Sequence, residues 1–404
     1  MGFEATGHSL RAGQLSPVFV GSVERFLKGK VDLPALLDGH ALDCIGDVSF
    51  RLESPGSKER LSVSLTGKIV SAWHQIRWEL HKVAMRAVVM ASVTPEFIRR
   101  ELDAHRQRCA EQLLAKKFAV LRVCLQDADG IKYDGVLSGK AMNIVAGRIV
   151  IRVGGIAEPY ETTFASEAMT HDEAGFATLQ INVAGVGRSQ GTPTAETLKS
   201  AAKVALLFTE AVNRQWREKR GKERGKVVLK GFSLGAGAMA GAIAQHEFKR
   251  EENDYLVMSI NTFGRLSDVP GHYISQFVGH RFLKKVVRSV CFATKHFLRV
   301  IGADLDGVEA AKKLTELDVQ HIIIQACHKV DDIIVPLDDG IISGDVSLLR
   351  QLQKKDLLKG KVIVQNCHMT AKVIKNQGTY KTRFIHCDID KPMIRCFLEN
   401  FRAS

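Results

Sequence analysis

The segment Gly231-Phe232-Ser233-Leu234-Gly235 constrains this chain more than any other stretch of it. An apolar run, Val227-Val228-Leu229, precedes it, and small residues from Ala236 to Ala244 follow. A strand, a sharp reversal and a helix are therefore expected in succession. Glycines two positions before and two after the serine leave the backbone room to turn. The serine is forced into a strained bend with its hydroxyl above the sheet edge. The helix N-terminus behind it favours developing negative charge.

The period of the sequence divides the rest. Up to about Arg51 short apolar runs are broken by Gly and Pro, and then Ile69, Trp73, Ile76, Leu80, Val83 and Ala87 recur at helical intervals. Thr94-Pro95-Glu96 reads as the N-cap, first-turn proline and early acid of a second helix ending near Leu114. Residues 1–115 are thus expected to form a mainly helical extension. From Phe118 the pattern turns to strands, at 118–125, 131–137, 148–153, 176–183, 227–230, 255–260, 322–326 and 361–365. Helices fall between them, notably 194–216 and 236–249. Such alternation predicts an α/β domain over 116–404, a mostly parallel sheet with helices on both faces. An insertion at about 265–317 would act as a helical cap.

Composition narrows the class. Of 404 residues, 45% are hydrophobic and 25% charged, which is globular rather than disordered. No apolar run approaches the ~18–20 residues that span a bilayer. The first residues lack a basic-then-apolar leader, so the expectation is a cytoplasmic protein, or one exported without a leader peptide. Eight scattered cysteines with no C-x-x-C pair suggest reduced thiols and no zinc site. The net charge of +13 is concentrated in part: Val269 to Ala303 contains no acid, but holds Arg281, Lys284, Lys285, Arg288, Lys295 and Arg299 among apolar residues. That mixture suits an anionic membrane surface or a lid over an apolar pocket. No nucleic-acid partner is expected, because no binding module accompanies the charge. The oligomeric state is not readable.

Two later strands place chemistry at their carboxyl ends. One leads to His328 and then Asp331-Asp332-Ile333-Ile334-Val335-Pro336, the other to Asn366-Cys367-His368. A serine hydroxyl needs a base to become a nucleophile, and an imidazole oriented by a carboxylate is one. The order serine, acid, histidine is that of the α/β-hydrolases. Residues 118–398 resemble that superfamily, and further motifs agree. Asn182-x-x-Gly185-x-Gly187-x-Ser189-x-Gly191-Thr192-Pro193 resembles its strand-four segment, and Asp332-x-x-Val335-Pro336 its acid loop. The chain is most similar to a poorly characterised hydrolase-like group of chlamydiae and other intracellular bacteria.

The resemblance implies Ser233 as nucleophile, His368 as general base and Asp332 as its orienting acid, with Asp331 and Asp268 as alternative acids. It implies oxyanion-hole amides from Leu234 and from Gly155 or Ile156. The chain departs from the family at Val153-Gly154, where His-Gly is usual, and at Asn182 and Ala184, where Asp and Arg are usual. The implied function is cleavage of an ester or thioester, a lipid or other acyl compound, with neither cofactor nor metal. A catalytically silent member acting in protein or membrane interaction is the alternative. Gly235-x-Gly237 with Gly241 also imitates a dinucleotide fingerprint, but the spacing is wrong and no acid ends a strand about twenty residues on.

Overall fold

A computed structural model describes residues 3–4, 45–51, 94–155, 158–217, 221, 223–269, 292, 295–296, 304–325, 327–330, 333–336, 342, 344–358, 362–365, 371–376, 379–384 and 391–404. The strands are β1 (Phe3–Glu4), β2 (Ile45–Arg51), β3 (Ala119–Gln126), β4 (Lys132–Gly139), β5 (Arg148–Val153), β6 (Ala177–Ile181), β7 (Gly225–Phe232), β8 (Asn253–Ile260), β9 (Gln320–Ile324), β10 (Cys327–Val330), β11 (Ile333–Pro336), β12 (Val362–Gln365), β13 (Ala371–Asn376) and β14 (Thr379–Phe384). The helices are α1 (Glu96–Ala115), α2 (Ala141–Val145), α3 (Phe164–Glu173), α4 (Ala195–Trp216), α5 (Leu234–Gln245), α6 (Gly307–Glu316), α7 (Leu348–Lys354) and α8 (Lys391–Ala403).

Local chemistry sets the boundaries. Between β3 and β4 the Asp127 carboxylate accepts the amides of Asp129 and Ile131, and Gly130 takes a positive φ of 85°. Helix α4 opens on a capping box in which the Thr194 and Thr197 side chains satisfy each other's backbone N–H. Asp306 caps α6 by accepting from the amides of Val308 and Glu309.

The main sheet runs β1-β2-β3-β4-β6-β5-β7-β8-β9-β12. Its centre, from β6 through β5, β7, β8 and β9 to β12, pairs in parallel, whereas β4 is antiparallel to both β3 and β6. Short antiparallel pairs β10–β11 and β13–β14 stand apart from it. Alternate residues of the central strands face opposite sides. Ile149, Ile151, Val227 and Leu229 join the core under α4 and α5, and Val150 and Val228 join one shared with Ile394, Leu398 and Phe401 of α8. The arrangement is a mostly parallel sheet between helical layers.

Two segments near the expected boundaries pack with the main domain. Within the N-terminal extension, β2 is a strand parallel to β3, and α1 buries Leu113 and Leu114 in the main core. At the end of the expected cap, α6 packs on α5 within the helical layer, with Ala310 and Leu314 in the core. The periodic segment 69–87 and most of the basic stretch 269–303 lie outside the described residues. Among the described residues no helix is long and apolar enough to cross a membrane.

Candidate active site

Strand order fixes where the site sits. From β5 the chain moves to β6 on one side and then to β7 on the other, so the order reverses between β5 and β7. Crevices at the carboxyl ends of strands flanking such a reversal are the binding places of open α/β sheets. Gly154-Gly155 follows β5 there, and Ser233 follows β7.

Ser233 has φ 52° and ψ −117°, an unfavourable backbone for any residue with a Cβ. Strain of this sort costs on the order of 1–3 kcal/mol and persists only where surroundings impose it. The flanking glycines show how. A Cβ on Gly231 would fall 2.4 Å from Cα of Ala236, and one on Gly235 would fall 2.2 Å from the carbonyl oxygen of Val153. Both contacts are with backbone, so neither neighbour has room to yield. The next strand holds the bend from outside: the Ser233 N–H donates to the Ile260 carbonyl at 2.9 Å, and the Thr262 hydroxyl donates to the Ser233 carbonyl at 2.9 Å. Ser233 stands at the N-cap of α5, yet its hydroxyl makes no capping bond, unlike Thr194 on α4. Leu234 opens α5, where the first amides have no carbonyl within the helix to bond.

Gly155 completes the near wall. A Cβ on it would lie 3.4 Å from Cβ of Ser233 and 3.0 Å from the Phe232 ring. Its N–H donates to Oε2 of Glu158 at 2.7 Å, and Oε1 of the same carboxylate accepts from Arg152 at 2.6 Å. Beneath lies a buried charge cluster. Arg152, 1% exposed, also pairs with Glu167, and Lys230 donates to Glu167 at 2.7 Å. His171 closes the group, 3.1 Å from Glu167 and 2.9 Å from the Thr178 hydroxyl. Arg152 and Lys230 are paired across adjacent strands, so two cations directly below the site share one carboxylate. Neither was singled out in the sequence. The signal was there: a lone cation inside an apolar strand, as in Ile149-Val150-Ile151-Arg152-Val153, demands a buried partner.

The segment after β6 is scaffold. The Asn182 side chain accepts the Tyr160 amide at 2.8 Å and donates to Glu161 at 2.9 Å. The Ser189 hydroxyl donates to the Asn182 carbonyl and accepts the Asp134 amide. A Cβ on Gly187 would fall 2.3 Å from the Asn182 amide nitrogen. Burial pushes the Glu161 carboxyl above the usual carboxylate range.

Ser233, Leu234 and Gly155 therefore meet at one rim. Asp268, the outlying acid candidate, is in an ion pair with Lys295. Ile156, Asp331, Asp332 and His368 lie outside the described residues. The strands that lead to the last three, β9 and β12, run parallel to β8 and, through it, to β7. Val330 and Ile333, which flank Asp331 and Asp332 in the sequence, are paired at the ends of β10 and β11. The glycines of the apparent dinucleotide fingerprint are packing positions: a Cβ on Gly237 would meet the Phe263 ring at 2.6 Å, and one on Gly241 the Lys199 side chain at 2.4 Å. No cluster of metal-ligating side chains occurs among the described residues.

No family model and no curated protein matches the chain. Distant likenesses exist among solved structures. An acetyl xylan esterase from a Paenibacillus species is 11% identical, with 77% of this chain and 96% of that one covered and a TM-score of 0.46. An α/β-hydrolase from Vibrio vulnificus is 13% identical over 79% and 92%, with a TM-score of 0.44. An esterase from Pyrococcus furiosus is 12% identical over 62% and 80%, at 0.39. The narrower likeness to the chlamydial group finds no support among them.

Proposed function

We propose that this protein is a serine hydrolase that cleaves a carboxylic ester or thioester through an acyl-enzyme on Ser233. The observation that carries the proposal is the elbow: a non-glycine residue at φ 52°, at the sheet's switch point, with its hydroxyl withheld from capping the helix behind it. Strain of that kind is retained where it serves a site.

In the proposed cycle Ser233 Oγ attacks the carbonyl carbon and passes its proton to His368, which Asp332 orients. Asp331 and Asp268 are the alternative acids, though the pairing of Asp268 with Lys295 speaks against it. The tetrahedral oxygen takes its hydrogen bonds from the Leu234 amide and from the loop after β5. With the Gly155 amide given to Glu158, Ile156 is the second donor of choice. Each donor contributes on the order of 3 kcal/mol to lowering the barrier. His368 returns the proton to the leaving alkoxide or thiolate, and water, activated by the same imidazole, then releases the acid. Acyl compounds, lipids included, fit the apolar and basic composition of 269–303.

The test is labelling by a fluorophosphonate together with hydrolysis of acyl esters of graded length. Wild type should label at Ser233. Ser233→Ala should lose labelling and fall on the order of 10⁴-fold or more in turnover. Equal labelling of the two proteins would refute the assignment.

A further inference from the structure

We propose that Glu158 is the positioning residue of the oxyanion loop, a carboxylate clamp that holds Gly155 against Ser233; this rests on the hydrolase assignment above. Three bonds define the clamp. Glu158 Oε1 accepts from Nη2 of Arg152 at 2.6 Å, Oε2 accepts from the Gly155 N–H at 2.7 Å, and the Glu158 N–H donates to the Gly155 carbonyl at 3.4 Å. The loop is thus closed on itself at Gly155 and bolted to the sheet through Arg152.

The bolt is fixed at its lower end. Arg152 is 1% exposed and is held from the other side by Glu167, which also holds Lys230 of the strand that leads into Ser233. One chain of charges therefore links the two segments that must face each other across a reacting carbonyl. No side chain fits between clamp and loop: a Cβ on Gly154 would fall 2.7 Å from the Glu158 carbonyl oxygen and 3.2 Å from its Oε2. Donors act on a transition state only if they are already in place, and a displacement near 1 Å costs about 10²-fold in rate. Charge balance alone would need the carboxylate near Arg152; it would not need the second oxygen on the Gly155 amide.

Glutamine is the discriminating replacement. It has the size of Glu158 but offers one oxygen and one NH2, whereas both partners are donors, so one arm of the clamp must open. The experiment compares wild type, Glu158→Gln and Glu158→Ala by amide hydrogen exchange of the 153–160 peptide and by steady-state ester hydrolysis. Exchange in 153–160 should rise about tenfold or more in both variants, with the 195–216 helix unchanged. The kcat should fall by about 10- to 100-fold with KM within a few-fold of wild type. Unchanged exchange in 153–160 would overturn the clamp whether or not the protein hydrolyses esters. Faster exchange with unaltered kcat would overturn its catalytic role. A wild type that neither labels nor turns over would instead sink the hydrolase assignment, and the exchange measurement would still decide the clamp.

Discussion

Ser233 pays for its position in backbone energy, and the size of that cost makes a stability prediction. Its φ and ψ of 52° and −117° mirror an ordinary extended conformation, which glycine occupies without penalty. Release of about 1–3 kcal/mol of strain outweighs the roughly 0.5–1 kcal/mol that glycine loses in extra unfolded-state freedom. Ser233→Gly should therefore raise stability by about 1 kcal/mol in urea denaturation while abolishing labelling. The opposite holds for Gly235→Ala, whose methyl would lie 2.2 Å from a carbonyl oxygen: a loss of about 3 kcal/mol or more is expected in the same assay. Thr262→Val tests the outer brace. The swap keeps the shape but removes the hydroxyl that donates to the Ser233 carbonyl. The kcat should drop several-fold with KM little changed, and wild-type kcat in the variant would show that the brace does not matter.

At the scale of elements, α1 shows which of two kinds of contact holds a helix in place. Its polar side is well supplied: Arg188 bonds Asp103 at 2.6 and 2.9 Å and Glu96 at 3.1 Å, and the Thr94 hydroxyl accepts the Gly187 amide. Arg188 and Asp103 are each about one-third exposed, however, and pairs of that kind are worth about 0–1 kcal/mol. Leu113 is 0% exposed, and deleting such a side chain to alanine costs about 2–5 kcal/mol. Burial wins. Leu113→Ala should shift the urea midpoint clearly and Asp103→Ala barely. A reversed order would mean that α1 is held by its charges. Among elements, α5 was the most legible in the sequence, because a run of small residues next to a strand signals close packing. The ends were less so: the serine turn itself begins the helix at Leu234, and His246 ends it by turning extended.

For the molecule as a whole, one buried histidine sets an acid limit on stability. His321 of β9 is fully buried, its Nε2 2.9 Å from the Ser259 hydroxyl, and Nδ1 has no partner among the described residues. Burial lowers its pKa from 6.5 to about 4. The unfolded chain then binds more protons than the folded one between pH 4 and 6.5, so stability is full above 6.5 and declines as pH falls toward 4. Going from pH 7.5 to pH 5 should cost about 2 kcal/mol, and His321→Asn should lose that part of the pH dependence in denaturation midpoints at the two values. A wild-type slope retained in the variant would assign the acid sensitivity to other groups.

The sequence alone determined what depends on near neighbours and on period. It placed the strand–serine–helix unit, the start of α4 at Thr194, and the alternation that makes the sheet parallel, because propensity, capping and side-chain alternation act over a few residues. It also put Ser233 and Gly155 after strands that share one edge. Tertiary structure decided what depends on distance through space. Only the fold joins β2 to the main sheet, makes Asn182 and Ser189 a brace for Tyr160 and β4, and gives the Gly155 amide to Glu158. Arg152 and Glu167 are fifteen positions apart in the chain yet are ion-paired in space, and no local pattern encodes a partner of that kind. Buried charges must find their complements wherever the packing brings them, so their roles become readable only when the chain is folded.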